Sequence, residues 1–482
     1  MKPHWLKRAL VVCGLAGGTL LLWAGAASAQ EATSLTPPKD EVAGAITQTQ
    51  TATNDNSTEQ EADADATTNQ ANVYVPVSVA CVDCNNGDVS QENDAETTAV
   101  AVNENDTDQG IAQTQGASGS GCGECGGEGD TEQSQEADNR NSTYQDADAD
   151  AKTYQANVAV PIAVACKDCN NGDVDQRNDA TTTAVAVNSN ETDQGIAQSQ
   201  GAGGSGCGTC DGKGDTEQSQ DAKNSNWTKQ DADADAHTYQ ANVYVPVAVL
   251  CAHCNNGDVY QGNDADTTAV AKNDNDTEQC ICQKQGAGSG SGDVDQYQDA
   301  ENRNGTKQEA DADATTKQAN VYVPISFLTY GSNNGDVRQS NEADTTAVAV
   351  NKNDTDQSIG QRQWAGSGSS CGSCGKGGSV DQSQEAKNKN WTKQDADADA
   401  TTEQKNVAIP VAIFAFKSNN GDIDQSNEAD TTAVAVNKND TDQSIRQQQV
   451  ANPDKRDGKG RKGGKPKGGK PNHTDTPCHD PC

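Results

Sequence analysis

The sequence predicts an all-β fold: a repetitive β-solenoid, or a rod of stacked β-hairpins, of five units of about 85 residues, each with two related halves. Three observations carry this. First, residues 133–157 alternate strictly. Their odd positions are Gln, Asn, Thr or Ala throughout, and their even positions are mostly charged or bulky. Alternation sends successive side chains to opposite faces, which is the period of a strand. The same stretch recurs from Gln48, Gln218, Gln296 and Gln382. Second, each unit holds two Asn-x-Ser/Thr triplets, beginning at Asn56 and Asn105, Asn141 and Asn190, Asn226 and Asn275, Asn304 and Asn353, and Asn390 and Asn439. Their separation is 49 residues in every unit, whereas the gaps between units vary within Gly/Ser linkers such as 116–130. An invariant gap marks a packed segment and a variable one a surface loop. Third, a 42-residue offset lays Gln91 on Gln133, Ala95 on Ala137 and Gln113 on Gln155, so the two halves of a unit are an older duplication.

In chain order, Lys2, Lys7 and Arg8 form a basic n-region, residues 9–23 an apolar h-region, and Ala27-Ser28-Ala29 a cleavage site. Residues 1–29 therefore read as a bacterial-type secretory signal, and a secreted, extracellular or cell-surface protein is expected, with no membrane span after cleavage. Residues 30–45 form a flexible lead. The repeat units follow at 46–115, 131–200, 216–285, 293–363 and 380–449. Within a unit the first half ends in a valine-rich segment such as 156–164. A turn signal, Asn-Asn-Gly-Asp, follows from Asn85, Asn170, Asn255, Asn333 and Asn419, and then the second half. The Val-x-Val segments are expected to be the most buried strands, or an interface. An unbroken strand of 25 residues would span about 80 Å, far beyond ordinary strands. Bends are therefore expected near 139–141 and 103–106.

The formal net charge is −37, and Leu, Ile, Val and Phe make up only about 12% of the chain. That composition lies in the range of disordered chains. Parity kept through five copies argues for order, with amide ladders and close Ala packing in place of a greasy core. The acidic body excludes nucleic acid and anionic membranes as its partners. The Asn-x-Ser/Thr triplets have the form of glycosylation acceptors, but they fall inside the β pattern and are read as structural.

The acidic triads are Glu61, Asp63 and Asp65; Asp146, Asp148 and Asp150; Asp231, Asp233 and Asp235; Glu309, Asp311 and Asp313; and Asp395, Asp397 and Asp399. On a strand the three carboxylates of a triad share one face, about 6.6 Å apart. Stacked layers would align like charges, which hard cations with oxygen ligands relieve, Ca²⁺ above all. The spelling is not an EF-hand, because the glycine at the sixth position and the closing Glu are missing. A solvated face that keeps a β-rich protein soluble is the competing reading.

Paired cysteines stand at Cys81/Cys84, Cys122/Cys125, Cys166/Cys169, Cys207/Cys210, Cys251/Cys254 and Cys371/Cys374, with Cys478 and Cys482 at the end of the chain. Two C-x-x-C pairs can make a zinc site. Pairs are lost two residues at a time, however: Thr329 and Ser332 replace one and Ala415 and Ser418 another. That pattern favours disulfides, within each pair or to a stacked neighbour, in an oxidising compartment. Residues 452–482 form a basic, Gly/Pro-rich disordered tail suited to an anionic cell wall or to the acidic body of another copy. No P-loop or H-E-x-x-H motif occurs, so no enzyme is expected.

Gln91-x-Asn93-x-Ala95, followed by a later Gln, resembles the spacing of curlin and related bacterial functional-amyloid repeats. The half-repeats here are about twice as long and lack the glycine that curlin places after its first Gln. The resemblance implies secreted β layers that stack on themselves into extracellular or cell-surface fibres or matrix. An adhesin-like module that binds Ca²⁺, a surface or a polysaccharide is the alternative expectation.

Overall fold

The computed structural model describes residues 46–119, 130–204, 214–288, 292–366, 379–419 and 421–452. It is a parallel β-solenoid of five rungs. Each rung runs out along one long strand, around a short one, and back along a second long strand. The first rung is β1 (Ile46–Tyr74), β2 (Val77–Val79) and β3 (Val89–Gly119). The second is β4 (Thr131–Ala159), β5 (Ile162–Val164) and β6 (Val174–Gly204), and the third β7 (Thr216–Tyr244), β8 (Val247–Val249) and β9 (Val259–Ala287). The fourth is β10 (Val294–Tyr322), β11 (Ile325–Phe327) and β12 (Val337–Gly366), and the last β13 (Val380–Ala408), β14 (Val411–Ile413) and β15 (Ile423–Asn452). Equivalent strands pair into three five-stranded parallel sheets, ordered β1-β4-β7-β10-β13, β2-β5-β8-β11-β14 and β3-β6-β9-β12-β15. The two halves of a unit therefore face each other across the core, each in its own long sheet.

The expected bends are absent. β4 runs unbroken for 29 residues and β3 for 31, so a long strand spans about 95 Å. The asparagines expected to turn the chain point inward instead. Asn139 Nδ2 donates to Asn224 Oδ1 at 3.1 Å and to the Gly195 carbonyl of the facing sheet at 3.1 Å. A side-chain amide has two donor hydrogens, and both are used here, one along the stack and one across it. Gln145 does the same, with Gln60 Oε1 at 2.8 Å and the Ser189 carbonyl at 2.9 Å. Ladders of this kind hold a sheet flat where an ordinary strand would twist and end. Partners along one Gln ladder are 85, 85, 78 and 86 residues apart. The register is thus identical at every step, and the linkers absorb the differences in length.

Between the amides the sheets meet on alanine. Ala147, Ala149, Ala184, Ala186, Ala232, Ala234, Ala269 and Ala271 form one buried cluster that continues into the outer rungs. β3 packs against both β1 and β4, so the strands of one long sheet sit opposite the gaps of the other. β1 is therefore the first layer of the stack and β15 the last. The triplet asparagines lie inside: Asn141, Asn190, Asn226, Asn275 and Asn353 are all buried, in keeping with a structural role.

The short strands form an arc that closes one end of the slab. Positive φ at Ala80, Asp83 and Gly87, repeated at Ala165, Asp168 and Gly172, turns the chain in three corners. The third corner requires glycine on a second count. A Cβ on Gly172 would lie 1.9 Å from the Gly87 carbonyl oxygen of the rung below, which explains the Asn-Asn-Gly-Asp signal. The valine-rich segments differ from expectation. Alternation continues through the arc, so Ala163, Ala248 and Ser326 face inward, while Val75, Val77 and Val79 are 50, 58 and 62% exposed. The corner is narrow and its interior holds only small side chains, so the β-branched residues stand outside.

Candidate functional site

Three features outside the ladders carry chemistry: the acidic face, the thiols of the arc, and the two open edges of the stack. All fifteen triad carboxylates lie on the outward face of the first long sheet, in three in-register columns. Glu61, Asp146, Asp231, Glu309 and Asp395 form the first; Asp63, Asp148, Asp233, Asp311 and Asp397 the second; Asp65, Asp150, Asp235, Asp313 and Asp399 the third. Neighbours in a column are one rung apart, about 4.8 Å. The outer columns have cations beside them: Lys152 Nζ is 2.7 Å from Asp150, and Lys307 Nζ is 2.9 Å from Glu309. Among the described residues no ion pair reaches the central column.

The electrostatics follow. Partial burial, then the charges of Asp235, Asp311 and Asp148, push Asp233 up to about 7. Burial first and carboxylate neighbours second also raise Asp148 and Asp311. On the opposite sheet Asp193 and Asp356 rise to about 6 for the same reasons. A carboxyl raised in the fold keeps its proton after the unfolded chain has lost it. Its contribution is therefore full below about pH 4 and is lost as pH rises towards 7. The melting temperature is expected to rise as pH falls from 8 to 5, the reverse of ordinary acid denaturation. Asp233→Asn should flatten that rise and raise the melting temperature at pH 8. Thermal melts of both proteins across this range test it, and a parent that loses stability between pH 8 and 5 would refute it.

Of the cysteines, Cys81 and Cys84 form a disulfide, as expected within a pair. Cys166, Cys169, Cys251 and Cys254 do not: they are free thiols, 3 to 4% exposed. All six point into the arc, because each follows a left-handed corner residue: Ala80 and Asp83, Ala165 and Asp168, Leu250 and His253. Cys122, Cys125, Cys207, Cys210, Cys371, Cys374, Cys478 and Cys482, with the signal, the lead and residues 453–482 of the tail, lie outside the described residues.

The edges went unread in the sequence, although their signal is there. The inward set of β13, from Gln382, Gln384, Ala386, Asn388 and Asn390 onward, matches that of β1, from Gln48, Gln50, Ala52, Asn54 and Asn56. β15 repeats β3 in the same way over Gln425, Asn427, Ala429, Asn437 and Asn439. At each internal step the Asn103-type amide donates upward to the next rung, as Asn188 Nδ2 does to Asn273 Oδ1 at 3.0 Å. Asn437 ends this column among the described residues, accepting from Asn351 at 3.0 Å. Outward aromatics add register-specific contacts. Tyr154 stacks on Tyr239 at 5.0 Å, and Trp227 stacks on Trp391 at 5.6 Å across Gly305, where a Cβ would meet the Trp227 ring at 2.5 Å.

No family model, no curated protein and no solved structure matches the chain.

Proposed function

We propose that this is a secreted structural repeat protein whose copies stack end to end into extracellular or cell-surface fibres. The observation that carries this is the identity of the two open edges. Each presents a strand about 95 Å long that is unpaired along its outer side among the described residues, the kind of edge that ordinary β-proteins cover or blunt. The last rung offers the inward ladder that the first rung continues. If the register runs on, Lys389 meets Asp55, Lys393 meets Glu59 and Lys438 meets Glu104. Contact between two different surfaces of one chain does not close on itself, so it generates a filament. The curlin-like spacing of Gln91, Asn93 and Ala95 agrees with this reading. The basic tail would hold the fibre to an anionic wall, or to the acidic body of another copy.

The acidic columns favour a second reading, a module that binds Ca²⁺, a charged surface or a polysaccharide. The central column, crowded with carboxylates and without an ion pair among the described residues, is where Ca²⁺ would bring most relief. The two readings separate in one experiment. The full chain is followed by sedimentation and electron microscopy against protein concentration, with and without Ca²⁺. Ribbons about 100 Å wide, lengthening with concentration and giving a 4.7–4.8 Å axial reflection, support assembly. A monomer at every concentration that binds Ca²⁺ supports the module and refutes the fibre.

A further inference from the structure

We propose that the outward face of the arc is a binding surface for a second copy of this chain, through which two ribbons join arc to arc; the proposal rests on the end-to-end stacking proposed above. Residues 73–82, 158–167, 243–252, 321–330 and 407–416 carry a single charged side chain, Lys167, in a chain of which 22% is charged. Register pairing of the short strands sets these five segments one above the other. Val77, Val79, Leu250, Ile413, Phe414 and Phe416 are all exposed on the outer side. A contiguous apolar patch on an otherwise charged surface marks an interaction site. Its rim at the second corner is polar and of mixed sign, with Asp83, Asp168, His253 and Lys417, as the rims of interfaces are. The fold itself does not ask for apolar residues there, because the arc is filled from within by small side chains such as Ala163 and Ala248.

A second observation is independent of hydropathy. The first corner of every rung holds a non-glycine residue at a φ of 52 to 55°: Ala80, Ala165, Leu250, Leu328 and Phe414. Side chains adopt this region at a cost that Gly avoids and Asn reduces. The third, fourth and fifth rungs nevertheless place Leu, Leu and Phe there, all three exposed. Strain kept at exposed positions points to a function.

Charge and area identify the occupant. Both long faces carry columns of carboxylates: the triads on one, and Asp94, Asp179, Asp264, Glu342 and Glu428 on the other. Copies set face to face would bring like charges together, and an anionic membrane would be repelled in the same way. Two arcs meeting tip to tip bring no column of carboxylates together. One surface meeting its own copy is an isologous contact, which closes at two. The patch spans five rungs by about eight residues, about 24 Å by 26 Å, so it offers at most about 600 Å². A standard interface takes about 800 Å² from each partner. Single chains therefore do not pair stably, whereas a ribbon repeats the patch along its whole edge and sums the contacts within one assembly. Short ribbons stay single, about 100 Å wide, and long ones pair to about 200 Å.

Electron microscopy of ribbons grown from the full chain tests the surface through their width. Val164→Lys with Phe327→Lys sets two charges on outward positions of the second and fourth rungs, away from both end rungs, so stacking should proceed as in the parent. We expect this variant to lengthen at the parent's concentration while its ribbons stay about 100 Å wide, and the parent's long ribbons to double to about 200 Å. The parent's pairs should persist in about 1 M sodium chloride, because salt screens charge pairs and not apolar burial. Parent ribbons that remain single at every length would overturn the pairing and leave the stacking intact. So would variant ribbons that pair as the parent's do, pairs that separate in salt, or single ribbons that bind neutral phosphatidylcholine vesicles along the arc. A parent that forms no ribbons sinks the stacking, and the pairing with it.

Discussion

Glu59→Lys combined with Glu104→Lys is expected to stop end-to-end growth while leaving the single chain as stable as the parent. Within the chain, Glu59 stacks beside Tyr144 and Glu104 beside Ser189. Neither loses a cation partner there, and a lysine beside Tyr144 is tolerated already, since Lys229 Nζ sits 4.5 Å from that ring's centre. At a junction between copies the same positions face Lys393 and Lys438, so two attractive pairs become repulsive. A cross-strand charge pair is worth roughly 0.2–1 kcal/mol. Reversing two of them costs about 1–4 kcal/mol per junction, roughly five- to nearly a thousand-fold in the concentration needed for growth. The reciprocal variant, Lys393→Glu with Lys438→Glu, should also fail alone. In the chain its targets lie beside Lys307 and Lys352, so its fold gains rather than suffers. Mixed, the two variants should copolymerise in alternation, because each supplies the charges that the other lacks. Sedimentation of each alone and of the mixture reads this out. Growth of either variant alone at the parent's concentration would exclude the proposed junction.

The second large effect is expected in the alanine stripe between the two long sheets. Ala234 is fully buried among Ala186, Ala232, Ala236 and Ala271. Ala234→Leu adds three carbons where both faces are already methyl groups. Overpacking of an ordinary core costs about 1–3 kcal/mol. Here a wedge also pulls apart the Gln and Asn ladders on either side, which hold each sheet's amides against the other's carbonyls, as Gln230 Nε2 does at 2.9 Å to Asp274. A loss at or above the top of that range is expected. Ala400→Leu, in the last rung and only partly buried, should cost less than half as much, because one side of that site is open. Thermal melting of both variants makes the comparison; equal losses would mean that the alanine stripe does not set the sheet spacing.

Much of this architecture was legible in the residues. Strict parity named the strands, and which set faces inward, because a strand has only two faces and one set was all Gln, Asn, Thr and Ala. The repeat distances named the rigid parts, and Asn-Asn-Gly-Asp named a turn in which Gly172 proves indispensable. The acidic columns also followed, since identical units in register stack identical side chains.

Other features depended on contacts that exist only between rungs. Asn139 has the local preferences of a turn residue, yet its amide is held by a partner 85 residues away, so β4 runs straight where local rules bend it. The valines of the arc read as core by hydropathy, but the narrow corner admits only Ala163 and its equivalents. The thiols read as pairs three residues apart, while their neighbours across the stack are 85 and 88 residues distant. By itself, then, the sequence determined the periodicity, the inward set and the repeat. Tertiary structure decided strand length, the facing of the two halves and the meeting of the cysteines, because each of these is the energy of one rung lying on the next, and no single unit contains it.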